Sequence, residues 1–451
     1  MTHSGSSEGR RELRALVALA VPIVVAQVGM MLLGTVDAMM LGRVSKEALA
    51  AGAVGGTIGF GLLSVPIGIL MGLDPLAAQA FGAGDRRRLR RTLERAFALA
   101  VLLGLPTMAA LWLASNSFEL LRQSPEIVPL AKDYLLGLVP GVLPFLFFVV
   151  LRQTEQAMGI VRPALLAALV ANVWNVFANW VLVFGNLGVP ALGVRGSAWA
   201  TSSARLVLFL VILGATRPVV PYLLKVKPWR QFAPRLHGEM MKIGLPISVH
   251  RSLEFWVFSV VGLLMGTLGS LEMSAHQIAL NLSSLSFMVP LGIGTAAATR
   301  VGNAIGRSDL PAAARSANLS LALGCAVMVV SASLFALLPR LLARLYTADA
   351  QVIALAATLL PIAAAFQFSD SVQTVAAGIL RGTADTTWPA VSVFAGFWIL
   401  GLPIGWWWAL QQGWGPTGLW WGLTLGLTIV AVLLTVRVRV RLRQSLDRLQ
   451  V

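Results

Sequence analysis

The sequence predicts an all-α integral membrane fold: twelve transmembrane helices in two pseudo-symmetric six-helix bundles. Composition is the first observation behind this. Of 451 residues, 57% are hydrophobic and only 12% charged, with a mean hydropathy of +0.79, whereas a soluble domain carries about twice that share of charge. The second is a set of twelve apolar stretches, each long enough to cross a hydrocarbon core of about 30 Å as a helix. The third is an internal repeat at an offset of 224 residues. Without a gap, Pro22 falls on Pro246, Gly42 on Gly266, Pro66 on Pro290, Gly68 on Gly292, Gly82 on Gly306, Asp85 on Asp309 and Arg91 on Arg315. Backbone-setting glycines and prolines recur in register, so two parallel half-copies are expected, the usual plan of a secondary transporter.

The stretches follow in order. The first, 15–41, holds Pro22 and, late in MLLGTVDAMMLG, Asp37. The second, 49–72, holds Pro66 and Gly68; the third, 96–116, follows an arginine run; the fourth spans 129–151. The fifth, 163–185, carries Asn175 and Asn179 one turn apart, and the sixth, 196–215, carries Arg205, for which the sequence offers no partner. Residues 1–215 thus form an N-terminal lobe, and 216–242 a basic, Pro-containing connection amphiphilic enough to lie along the inner membrane surface. The seventh stretch, 243–268, holds Glu254; the eighth spans 275–299; the ninth, 316–338, contains the single cysteine, Cys325, so no intramolecular disulfide is available. The tenth, 350–379, holds Pro361, Asp370 and Gly378; the eleventh and twelfth, 388–409 and 416–436, are rich in tryptophan. The C-terminal lobe is 243–436, followed by a basic tail, 437–451. Pro22, Pro246, Pro361 and Gly378 are candidate bends, because proline removes a helix hydrogen bond and glycine relaxes the helix.

A net charge of +16 invites a nucleic-acid reading, but the placement of the charges opposes it. Counted from a cytoplasmic N-terminus, most Lys and Arg fall in inside segments, among them Arg10, Arg11, Arg86, Arg87, Arg88, Lys225, Lys227, Arg437, Arg439 and Arg441. This is the positive-inside bias, so a multi-pass membrane protein with both termini cytoplasmic is expected. Anionic lipid headgroups are secondary partners, and nucleic acid is not one. The first apolar run is too long for a cleavable signal, with no small-residue cleavage pattern after it. His3, His237, His250 and His276 form no HExxH pair, and neither a P-loop nor GxSxG occurs, so no enzyme is expected.

Among so few charges, carboxylates inside the spans are informative, because a charge at mid-bilayer costs several kcal/mol unless paired or hydrated. Asp37, Glu254 and Asp370 are each flanked by apolar residues. Arg251 and His250 share the helical face of Glu254, which leaves a structural ion pair as one reading; Asp370 has no basic residue within a turn. A carboxylate shielded from water takes up H⁺ more readily, and two of them with helix carbonyls can hold Na⁺ through oxygen ligands. Either way a cation site is implied.

The chain resembles the multidrug and toxic compound extrusion (MATE) antiporters, NorM-like branch, through VDAMMLGRVSKEALAA (36–51), PIGILMGLDPLAAQAFGAGDRRRLRR (66–91), AHQIALNLSSLSFMVPLGIGTAAATRVGNAIG (275–306) and QTVAAGILRGTADT (373–386). The resemblance implies two six-helix bundles in a V around a central cavity, exporting organic, often cationic, compounds in exchange for Na⁺ or H⁺. It implies an ion-coupling role for Asp37, accompanied by Asn175, Asn179 and Thr201, and an acidic pair of Glu254 and Asp370 in the C-terminal lobe. Some relatives carry a second aspartate where this chain has Asn179; a neutral amide there weakens the case for a tight metal-ion site and leaves a proton on Asp37. Na⁺ is thus a candidate at Glu254, Asp370 or Asp37.

Gln27, Met30, Gln277, Asn281, Gln367 and Gln373 are the candidates for a substrate cavity. Alternating access is the expected mechanism, without ATP or a cofactor and with a monomer as the working unit. Trp398, Trp406, Trp407, Trp408, Trp414, Trp420 and Trp421 invite an aromatic cage for cations, but most of them cluster around the outer ends of the last two spans, where tryptophan anchors the interface. A flippase for lipid-linked saccharides is the alternative; its anionic cargo would call for a cationic cavity, which the acids oppose.

Overall fold

The structure, a computed structural model, describes residues 2–118, 125–216 and 237–444, with side chains from residue 7 onward. Most of the connection and the end of the tail (217–236 and 445–451) lie outside the described residues. Among the described residues, twelve helices are long and apolar enough to cross a membrane: α1 Ser7–Gly42, α2 Lys46–Gly82, α3 Arg86–Ser115, α4 Ile127–Ala157, α5 Arg162–Phe184, α6 Gly193–Ala215, α7 Gly238–Leu268, α8 Ser270–Gly306, α9 Leu310–Leu337, α10 Ala350–Gly382, α11 Thr387–Gln411 and α12 Pro416–Arg443. The chain is a multi-pass membrane protein, and each expected stretch falls on one of these helices. Several helices outrun their stretch at arginine-bearing ends, since hydropathy marks only the part suited to hydrocarbon while the hydrogen-bonded helix continues beyond it.

Three helices are locally irregular. A break at Met71–Gly72 interrupts α2, a 3₁₀ turn at Val139–Gly141 interrupts α4, and α11 contains two π-helical segments, Phe394–Gly401 and Trp407–Gln411. Pro22, Pro246 and Pro361 all lie inside uninterrupted helices.

The 224-residue repeat recurs in the backbone. The helices beginning at Lys46 and Arg86 have counterparts beginning at Ser270 and Leu310. Asp85 caps α3 by accepting from the amide of Arg88 at 2.9 Å, and Asp309 caps α9 by accepting from that of Ala312 at 3.0 Å. The residue before each cap has left-handed backbone, Gly84 with φ 71° and Ser308 with φ 59°. The second half therefore reproduces a left-handed turn without glycine, at a steric cost glycine avoids.

By their contacts the residues form two compact units, one of Val25–Ser248 and one of Met1–Val24 with Val249–Gln450. The lobes expected from sequence, 1–215 and 243–436, differ from these units at two equivalent places. Each unit border falls just after a repeated proline, Pro22 in α1 and Pro246 in α7, so that each helix begins in one unit and continues in the other.

Within the unit of 25–248, α5 lies along α6, and α2 and α6 both pack on α4. Within the other, α8, α9 and α12 pack on α10, and α11 packs on α12. Small residues set these distances, as expected where packing rather than water exclusion holds helices together. Gly378 faces the backbone of Gly294, where a Cβ would overlap the carbonyl, so it serves the close approach of α8 and α10. The beginning of α1 is docked in this unit by ion pairs of Glu12 with Arg300 and Glu8 with Arg315, and Glu12 also accepts from Ser316.

Candidate functional site

Each unit carries an acidic centre on its spanning helices. In the unit of 25–248, α1 brings Asp37 to α5 and α6. Its Oδ1 accepts from Asn175 Nδ2 at 3.1 Å and from Asn179 Nδ2 at 2.8 Å, and its Oδ2 accepts from the Thr201 hydroxyl. Asn175 and Asn179 project from one face of α5 because they are four residues apart, and Asn179 also donates to the backbone carbonyl of Asn175 at 3.0 Å. Asp37 is 4% exposed and both asparagines are fully buried. The structure thus unites all four residues singled out in this half. Asn175 Oδ1 and Asn179 Oδ1 are buried without hydrogen-bond partners among the described residues. With the Thr201 hydroxyl and the carboxylate they make an oxygen-rich cluster, the chemistry a small hard cation or a proton accepts.

Two neighbours of this centre were not assigned to it from sequence. Tyr134 of α4 is 6% exposed, and Arg205 lies one turn beyond Thr201 on α6; both interact electrostatically with Asp37. The Arg205 guanidinium carbon sits 5.3 Å from the centre of the Phe145 ring, a cation–π arrangement. Only the four-residue spacing from Thr201 could have flagged Arg205. Nothing in the sequence around Tyr134 distinguishes it from a packing aromatic.

In the other unit, Glu254 of α7 and Asp370 of α10 are joined through one side chain. Gln373 Nε2 donates to Glu254 Oε1 at 2.7 Å and lies 3.3 Å from Asp370 Oδ1 and 3.2 Å from the Thr374 hydroxyl. Gln373 is 1% exposed and Asp370 7%. The partner of Glu254 is therefore an amide on another helix, while His250 and Arg251 of its own helix act on it through their electrostatic field. Trp398, on the first π-helical segment of α11, donates from its indole to the Leu253 carbonyl at 3.1 Å, fixing α11 beside Glu254. Trp420 is fully buried and Trp398 half-buried, whereas Trp406, Trp407, Trp414 and Trp421 are exposed. Among the described residues no group of three or more His, Cys, Asp or Glu forms a metal cluster.

The six cavity candidates lie on α1, α8 and α10. Gln27 and Met30 are half-buried on α1; Gln277 and Asn281 are exposed on α8, where Asn281 donates to the Gln277 carbonyl at 2.9 Å. Gln367 is buried and accepts from Ser286 at 3.1 Å, itself 2.8 Å from Ser331, and Gln373 bridges the acids.

The MatE family model matches residues 22–181 and 246–407. The two matches begin at Pro22 and Pro246, the positions that open the internal repeat. The chain belongs to the MatE family. It is 36% identical to a probable multidrug resistance protein NorM of Mesorhizobium japonicum, over 95% of this chain and 94% of that one. It is also 36% identical to the multidrug resistance protein PmpM of Pseudomonas aeruginosa, over 95% and 91%. The crystal structure of the eukaryotic MATE transporter AtDTX14 superposes with a TM-score of 0.85, at 21% identity over 97% of this chain and 98% of that one, so this MatE chain shares its fold.

Proposed function

We propose that this chain is an exporter of organic, often cationic, compounds, driven by entry of H⁺ or Na⁺ and working by alternating access. The carrying observation is the pair Glu254 and Asp370, two acids on different apolar spans that share the amide of a single buried glutamine. Two anions that close repel in a medium of low dielectric, and the two N–H bonds of one amide are all that this group offers to four carboxylate oxygens. The cheapest complement is a proton or a monovalent cation, so the pair changes charge by one when the ion binds. An organic cation attracted by the empty pair is released when the coupling ion neutralises it; ion and substrate compete for one charge state. The conformational change then follows from the differential affinity of the two states for each ligand. Belonging to the MatE family, and close similarity to multidrug resistance proteins of bacteria, support the export reading and a place in the bacterial inner membrane.

Reconstituted protein in liposomes, loaded with a fluorescent organic cation, tests this. Efflux should follow an imposed Na⁺ or pH gradient and identify the ion. Absence of efflux with both gradients, in folded protein, would overturn the antiporter reading and leave a lipid-linked saccharide as the cargo to test.

A further inference from the structure

The centre at Asp37 already contains a cation that nothing in the coupling scheme uses. Arg205 follows Thr201 by four residues on α6, so the two project from one face, and Thr201 holds Asp37 Oδ2. The aliphatic part of Arg205 packs in the space left by Gly141, where a Cβ would come within 3.0 Å of its Cδ. Its guanidinium rests on Phe145, and its Nη1 is buried with no hydrogen-bond partner among the described residues. Asp37, Tyr134 and Arg205 are the ionisable groups of α1, α4 and α6 that act on one another here; α5 contributes the neutral Asn175 and Asn179. An unpaired guanidinium nitrogen at this depth is costly unless an anion is within reach, and Asp37 is the carboxylate its field reaches.

We propose that Arg205 is a tethered surrogate for a metal cation at the Asp37 centre, excluding Na⁺ from it and leaving Na⁺ binding, where it occurs, to Glu254 and Asp370. This rests on the reading of Asp37 as a coupling residue. With Arg205 in place the centre is neutral when Asp37 is ionised, and an added Na⁺ would leave a buried net positive charge. A resident unit charge whose field reaches the carboxylate lowers the affinity for a second cation on the order of tenfold or more. The Oδ1 atoms of Asn175 and Asn179 supply a ligand set whose use is blocked by charge rather than by lack of oxygens. Arg205 does not touch transported ligand in this scheme; it is a positioning residue acting through Asp37.

The test is radiolabelled ²²Na⁺ binding to purified full-length protein in detergent. Arg205→Leu and Arg205→Gln should each bind one more Na⁺ per chain than the parent. The gain should vanish in the double variants with Asp37→Asn, and Arg205→Lys should restore the parental stoichiometry. Two neutral replacements guard against one failing to fold, with monodisperse elution and an unchanged melting temperature as the criterion. The proposal is overturned if both neutral variants, folded, gain no Na⁺, or if Asp37→Asn alone removes a Na⁺ from the parent. Gradient-driven export by Asp37→Asn is measured in parallel. Unimpaired export there would refute the coupling role of Asp37 while leaving the Na⁺ stoichiometry as an independent result on Arg205.

Discussion

Asp37 has its two oxygens met by three donors from two helices, whereas Glu254 and Asp370 share one amide. Both centres are largely buried, yet the first is nearly complete as an anion site and the second is short of donors by design of its sequence. The pseudo-symmetric halves thus carry acidic centres of different kinds, one rich in hydrogen-bond donors and one poor in them.

Substitution at the acids breaks that comparison most directly. Glu254→Gln and Asp370→Asn are each expected to cut gradient-driven export in liposomes roughly a hundredfold, with protein still folded in the membrane, because a neutral amide leaves no site whose charge changes with the ion. Normal export by both would remove the second centre from the mechanism. Asp37→Asn should lose less, about tenfold in export, and should also cost about 2 kcal/mol in thermal stability, since its new NH₂ group would confront donors that now lack an acceptor. Gly378→Val should cost about 2 kcal/mol through collision with the Gly294 backbone, read as a lower melting temperature; an unchanged melt would mean that α8 and α10 can separate freely.

Gln373→Leu sharpens the contrast. It removes the shared donor, so the melting temperature should fall by the equivalent of about 1–2 kcal/mol; an unchanged melt would mean that the amide does not hold the two acids together. The smallest effects test the halves against each other. Asp85→Ala and Asp309→Ala each remove one equivalent cap and should cost about 1 kcal/mol apiece; unequal losses would show how far the halves have diverged in packing.

Much of this was legible in the residues. The twelve spans follow from apolar runs, and the repeat was visible through Pro22, Pro246, Asp85 and Asp309. Asp37, Glu254 and Asp370 stood out because charge is scarce in these spans. The bridging role of Gln373 was not legible: a glutamine three residues after an aspartate fits a cavity wall as well as a crosslink, and only the packing of α7 on its own unit brings Glu254 to it. Nor was the unit border, because hydropathy runs unchanged through Pro22 and Pro246. The π-helical stretch that delivers Trp398 to the Leu253 carbonyl was equally hidden, since its sequence, FAGFWILG, is as apolar as any α-helical span.

The border within α1 and α7 has a consequence for any attempt to divide the protein. Residues up to Val24 are an exchanged arm, held in the far unit by Glu8 and Glu12, and the start of α7, up to Ser248, is its counterpart. An isolated half cut in the loop before α7 would carry an arm that it cannot bury itself and would lack the arm that it needs. Cutting the chain between the halves would therefore separate each arm from the unit to which it belongs.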